Sequence, residues 1–231
     1  MKILVAGNSV SEPPSKGAAS YPALLSQRFG GAASVETIIG SGETIAQMET
    51  RIVESLARRP DWLILQVGIN ECAPRPLSVA ERARLGALRP QWLQWRIVRL
   101  IHHLRPWIIR MRTLRQFMPL PDFLSSVRRV LAAAEAHGVR VIVLPITTVT
   151  SVAERRTPFT NREVARYNAA LAGMAGQNVR VSTQQDIFGS DDAAAVVASP
   201  DTVHLSLSAH ERLADFLFTA TASARFPAVS R

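Results

Sequence analysis

Apolar residues follow two alternating patterns along this chain. Short strand-type runs occupy Lys2 to Ala6, Val35 to Ile39, Trp62 to Val67, which is the most continuous, and Val139 to Leu144, with a weaker one from Val179 to Ser182. Continuous runs of this length predict strands covered on both faces. Between them, apolar positions recur at helical spacing. Tyr21, Leu24, Leu25 and Phe29 form one such stripe, ended by Gly30-Gly31. Ile45, Met48, Ile52, Val53 and Leu56 form another, starting from about Glu43 and closed by Pro60. Further helices are predicted from about Phe123 to Ala136, from Asn161 to about Met174 and from about Ser208 to Ala220, with a loop reaching Thr160 after the fourth strand. This alternation predicts an α/β fold, a parallel sheet with helices on both faces. Right-handed crossovers then bring the loops that leave the strands to one side of the sheet.

The rhythm lapses between Cys72 and Pro121. There Trp92, Trp95, Ile97, Val98, Leu100, Ile101, Leu104, Trp107, Ile108, Ile109, Met111 and Leu114 alternate with Arg96, Arg99, Arg105, Arg110, Arg112 and Arg115. Pro106 is expected to break this stretch into two helices. The formal net charge of +9 is concentrated here: Arg75 to Arg115 holds ten arginines against Glu81, and the remainder is balanced. Three readings of the segment stay open. Its apolar face packs on the core or on a second subunit while its arginines are solvated. Alternatively it docks on an anionic membrane surface or a lipid-diphosphate-linked substrate, as basic amphipathic stretches with tryptophan do. Nucleic-acid binding is the weakest of the three, since no nucleic-acid fold accompanies the charge.

A chain of 231 residues with 47% hydrophobic content suits one globular domain over 1–231, with a basic helical insertion at about 72–121. The lone cysteine, Cys72, excludes an internal disulfide. The five-residue apolar start is too short for a signal peptide, and no apolar stretch has the ~18 residues of a membrane span. The expected location is cytoplasmic, at most peripheral to the inner face of the membrane.

Candidate chemistry lies at the strand ends. The first three strands run into Gly7-Asn8-Ser9, Gly40-Ser41-Gly42 and Gly68-Ile69-Asn70. Glycine lets backbone N–H groups approach a ligand and asparagine supplies a side-chain donor, which is what an oxyanion site needs. Ser9 at the carboxyl end of a buried strand is well placed for a nucleophile, although Asn8 or Ser9 reads equally as a helix cap. A serine nucleophile needs a base and a group that orients it. Asp201-Thr202-Val203-His204, just before the last helix, offers both. An isolated Asp-x-x-His is more often a capped turn and an ordinary loop histidine.

Together, Gly7-Asn8-Ser9, Gly42, Gly68-Ile69-Asn70 and Asp201-Thr202-Val203-His204 stand in the order of the blocks of the SGNH (GDSL-type) hydrolases. The whole chain resembles that superfamily apart from the segment between Cys72 and Pro121. The resemblance implies a flavodoxin-like three-layer α/β/α sandwich with a parallel five-stranded sheet. It implies Ser9 as nucleophile, His204 as base and then acid, and Asp201 as orienting carboxylate. The oxyanion hole would comprise the N–H groups of Ser9 and Gly42 and the Asn70 amide, with no metal and no cofactor. Two positions depart from the family pattern: Asn8 stands where aspartate is usual, and Glu71 where a second aspartate is usual.

The implied activity is that of a serine esterase, an O-acyl or acetyl esterase on an acylated carbohydrate or related small ester. Two alternatives remain at this level: an O-acyltransferase with the same triad, or a membrane- or partner-binding module with a vestigial site. Of the other candidates, His102-His103 is expected at the surface, His137 at a helix end and Cys72 as a small buried residue, while His210 has no assigned role.

Overall fold

Seven residues, Lys2–Asn8, form β1, and its last six are buried. It lies between two parallel neighbours, β2 (Ser34–Gly40) and β3 (Trp62–Gln66). β4 (Arg140–Val143) and β5 (Val179–Val181) continue the sheet in the order β2-β1-β3-β4-β5, all parallel. This is the doubly wound order in which the chain reverses direction across the sheet between β1 and β3, opening a crevice at their carboxyl ends. The computed structural model describes residues 1–13, 15, 17–112, 116–189, 196–197 and 203–223.

Right-handed crossovers put α1 (Tyr21–Phe29) and α2 (Ile45–Leu56) on opposite faces. Helix α1 packs against α10 (Leu207–Ala222), and α2 packs against α6 (Leu120–Ala136). The three-layer α/β/α sandwich expected from the alternation is what forms. Buried side chains from all layers make one continuous cluster, with β3 and β4 contributing Leu63, Ile64, Leu65, Val141, Ile142 and Val143 at its centre. Gly30 ends α1 in the left-handed conformation, the C-terminal role its position suggested.

The segment between β3 and α6 differs from expectation. It holds α3 (Ile69–Cys72), α4 (Val79–Gly86) and α5 (Gln91–Met111). The break falls between α4 and α5, not at Pro106, which lies inside an unbroken α5. Proline removes one N–H and frees the carbonyl of residue 102. His102 is solvent-exposed, so water can meet that carbonyl, and the buried Ile109 anchors the following turn. Two short helices were also not foreseen: α7 (Ser151–Arg156), within what was expected to be a loop, and α9 (Gln184–Phe188). Both are capped locally, by Thr150 and Thr183, and are too short to show an apolar period. Between them lies α8 (Thr160–Ala172). Helix α2 ends at Leu56, four residues before Pro60. No helix among the described residues is long and apolar enough to cross a membrane.

Candidate active site

Ser9 begins a single 3₁₀ turn, Ser9–Ser11, directly after β1. Asn8 caps that turn, its Oδ1 accepting the Val10 N–H at 3.2 Å. The cap is therefore real, and Ser9 beside it lines a cavity at the strand end. A side-chain amide oxygen does here what a carboxylate would do, so Asn8 preserves the turn. The turn is also held from below. Ser11 is buried, and its hydroxyl donates to Gln66 Oε1 on β3 at 2.6 Å and lies 3.3 Å from the Tyr21 hydroxyl. A Cβ on Gly7 would collide with the Ser11 Oγ, which is why glycine precedes the serine block. Ser11 and Gln66 escaped the sequence reading, because nothing local signals a contact between residues 55 apart.

The second and third strand-end loops are joined to each other. Gly42 sits at φ +75°, a left-handed conformation that favours glycine. Asn70 Nδ2 donates to the Glu43 carbonyl at 2.9 Å. An amide carries two N–H groups, and this bond fixes the side chain with one of them. Glu71 completes the tie. Its carboxylate accepts the Ile45 N–H at 2.6 Å and the Gly68 N–H at 3.0 Å, binding the start of α2 to the third loop. Glutamate at this position thus keeps the loops' hydrogen bonding intact. Glu71 is fully buried, and burial pushes its pKa up to about 7 despite the N–H donors and the nearby Arg75.

Ser9, Asn70 and His204 line one cavity of about 260 Å³. Residues 195 apart in sequence are brought together because β1 ends beside β3, and the segment before α10 returns to the same sheet edge. Val203 and His204 are half-buried, and Leu205, fully buried, pairs with Val197. Asp201 lies outside the described residues. The far wall of the cavity comes from Arg75, from Arg105 of α5, and from Ala153 and Thr157 around α7. Gly42 lines an adjoining cavity of about 520 Å³, which shares Asn70, Arg75 and Arg105 with the first.

The profile of the GDSL-like lipase/acylhydrolase family matches residues 4–212, a span that takes in all four blocks. The chain belongs to this family. Solved structures agree at the level of the fold. A lipase/acylhydrolase from Enterococcus faecalis superposes with a TM-score of 0.64 at 14% identity, over 99% of each chain. A catalytic mutant of Axe2, an acetylxylan esterase from Geobacillus stearothermophilus, gives 0.61 at 15% identity, over 94% of this chain and 92% of the other. The psychrotrophic esterase EstA from Pseudoalteromonas sp. gives 0.55 at 13%, over 96% of each. No curated protein sequence matches this one. Family membership makes the protein an ester hydrolase of the SGNH type.

The remaining candidates lie apart from this GDSL-like site or serve the fold. His137 closes α6 at its C-terminal end. Cys72 is buried, and burial pushes its thiol pKa up, as suits an inert residue. His210 is fully buried, accepts the Tyr21 N–H on Nδ1 at 3.1 Å, and is pushed down to about 4 by burial. It is a neutral structural histidine that ties α10 to the start of α1. His102 and His103 are both exposed, and His102 reaches the edge of the larger cavity.

Proposed function

We propose that the protein is a serine esterase in which Ser9, His204 and Asp201 form the triad, acting on O-acyl or O-acetyl groups of a carbohydrate or a related small ester. The observation that supports this reading is the single cavity lined by Ser9, Asn70 and His204. In the reaction, Ser9 Oγ attacks the ester carbonyl carbon while His204 takes the hydroxyl proton. The carbonyl electron pair moves onto oxygen, and the resulting oxyanion faces the N–H groups of Ser9 and Gly42 and the second N–H of Asn70. Collapse breaks the bond to the alcohol, which leaves with the proton from His204. Water then attacks the acyl-serine, giving its proton to His204; the bond to Ser9 Oγ breaks, that oxygen takes the proton from His204, and the acid is released. Asp201 is assigned as the orienting group from the family block it shares with His204.

Labelling with a fluorophosphonate probe tests the reading. The expected adduct is on Ser9, located by peptide mass, and it should fall sharply in His204→Ala and vanish in Ser9→Ala. A folded protein that takes no label overturns it. Product analysis with an acceptor alcohol separates hydrolysis from transfer: acid as the main product supports an esterase, and transferred ester overturns that in favour of an acyltransferase.

A second property is proposed for the outer face of α5, docking on an anionic bilayer surface. Trp92, Trp95, Leu100, Trp107 and Met111 are all 56–67% exposed there, interleaved with the exposed Arg96 and Arg99. Aromatic rings and arginines mixed on one helix face suit the boundary between headgroups and acyl chains.

A further inference from the structure

The inner face of α5 does something different from its outer face. It roofs the cavity of about 520 Å³ that opens beside Gly42 and Asn70, and three arginines from three parts of the segment meet there. Arg75 follows α3, Arg82 lies on α4 and Arg105 on α5. Arg75 and Arg82 both place their guanidinium groups over the Phe117 ring, at 4.4 and 4.7 Å from its centre. Arg75 also donates to the Asn70 carbonyl at 3.2 Å, so the cluster is anchored to the oxyanion loop itself.

Among the described residues that line this cavity none is acidic, and the buried Glu71 carboxylate acts on Arg75 from outside it. Glu81, the segment's own acid, is engaged by Arg112 at 2.9 Å, and the Glu71 carboxylate is turned toward the N–H groups of Ile45 and Gly68. The Nε atoms of Arg75 and Arg105 are buried and have no hydrogen-bond partner among the described residues. Leaving a charged donor buried and unpaired is costly, and three like charges around one cavity repel one another. Burial, followed by Arg105 and then Arg82, pushes the Arg75 pKa down to about 10. Such an arrangement is stabilised when an anion enters. Guanidinium forks suit the several oxygens of a phosphate, and three of them exceed what one carboxylate can satisfy.

We propose that Arg75, Arg82 and Arg105 form a phosphate-recognising subsite beside the oxyanion loop, so that the preferred substrate is an ester carrying a phosphoryl group on the part of the molecule that enters the α5 cavity. The proposal rests on the esterase reading for its chemistry. Arg75 and Arg105 line the serine cavity as well as this one, which lets a single small molecule reach both.

The test compares O-acetylglycerol 3-phosphate with O-acetylglycerol, and 4-nitrophenyl hemisuccinate with 4-nitrophenyl butyrate. The phosphorylated ester should exceed its neutral partner at least tenfold in kcat/KM, and inorganic phosphate should compete. Arg82→Gln and Arg105→Gln should each lower that ratio at least tenfold, with Arg82→Lys keeping part of it. Arg110→Gln, on the exposed side of α5, should leave the ratio where it was. Equal kcat/KM on the two acetylglycerols, with Ser9 still labelled by fluorophosphonate, overturns the subsite and leaves the esterase standing. Preference for the hemisuccinate without preference for the phosphate overturns phosphate as the ligand. Calorimetric titration of Ser9→Ala with inorganic phosphate decides the subsite if Ser9 takes no label: saturable binding lost in Arg82→Gln supports it, and no binding overturns it.

Discussion

Asn70 has a structural role and, in the proposed reaction, a chemical one. One amide N–H holds the Glu43 carbonyl, and the residue lines the cavity it shares with Ser9 and His204. Losing one oxyanion donor typically costs on the order of 10²–10³ in rate. Asn70→Ala should therefore lower kcat by about that factor while leaving KM for a neutral ester nearly unchanged, measured by steady-state kinetics on protein verified as folded. A drop of less than about tenfold would mean that the amide does not meet the developing charge. Serine, glycine and asparagine could be read as candidates from their places after apolar runs. The Ser11–Gln66 bond and the Glu71 tie could not, because hydrogen bonds between residues 55 and 26 apart have no local signature.

At the scale of elements, α5 is the distinctive part. Its spacing sorts residues onto two faces: Gln94, Val98, Ile101 and Arg105 turn to the cavity, and Trp92, Trp95, Trp107 and Met111 turn to solvent. The outer face makes a direct prediction. The protein should co-sediment with vesicles containing phosphatidylserine at low salt, and less so at high salt, where attraction between exposed charges is screened. Replacing Trp95 and Trp107 by serine should remove most of the bound fraction. No sedimentation at low salt, or capture of the outer face in a homodimer, would exclude the bilayer as its partner. The alternation of tryptophan and arginine marked this segment as amphipathic from the sequence. Pro106 nonetheless misled on its boundaries, because a helix tolerates proline where the freed carbonyl faces water and flanking turns are held by packing.

For the whole molecule, two buried groups set opposing pH dependences. Glu71 is raised to about 7 in the fold, so the stability linked to its protonated form is present below about 4.5 and is lost as pH rises through 7. His210 is lowered to about 4, so the stability linked to its neutral form is present above about 6.5 and is lost as pH falls through 4. Between about pH 4.5 and 6.5 the two nearly cancel, and Glu49 and Asp186, both lowered, titrate below that window. Urea unfolding of the wild type should change little across it. Glu71→Gln should instead gain on the order of 2–3 kcal/mol from pH 4.5 to 6.5, and His210→Gln should lose a similar amount. Flat profiles in both variants would contradict this assignment.

The succession of the five strands and of the long helices outside 72–121 was determined by the sequence alone, since period and run length reflect which faces of each element are covered. The same is true of the first three family blocks, because a strand that ends abruptly in glycine and a polar residue puts that residue at the edge of the sheet. Asp201, assigned from the family block, lies outside the described residues. Tertiary structure decided the rest. It placed Ser9 and His204 on the walls of one cavity and used Glu71 to lock two loops together. It also turned Arg105 inward, beside Arg75 and Arg82, while leaving the tryptophans outside. A one-dimensional pattern shows that a helix has two faces. What each face meets depends on segments far away in the chain, and only the packed molecule brings them together.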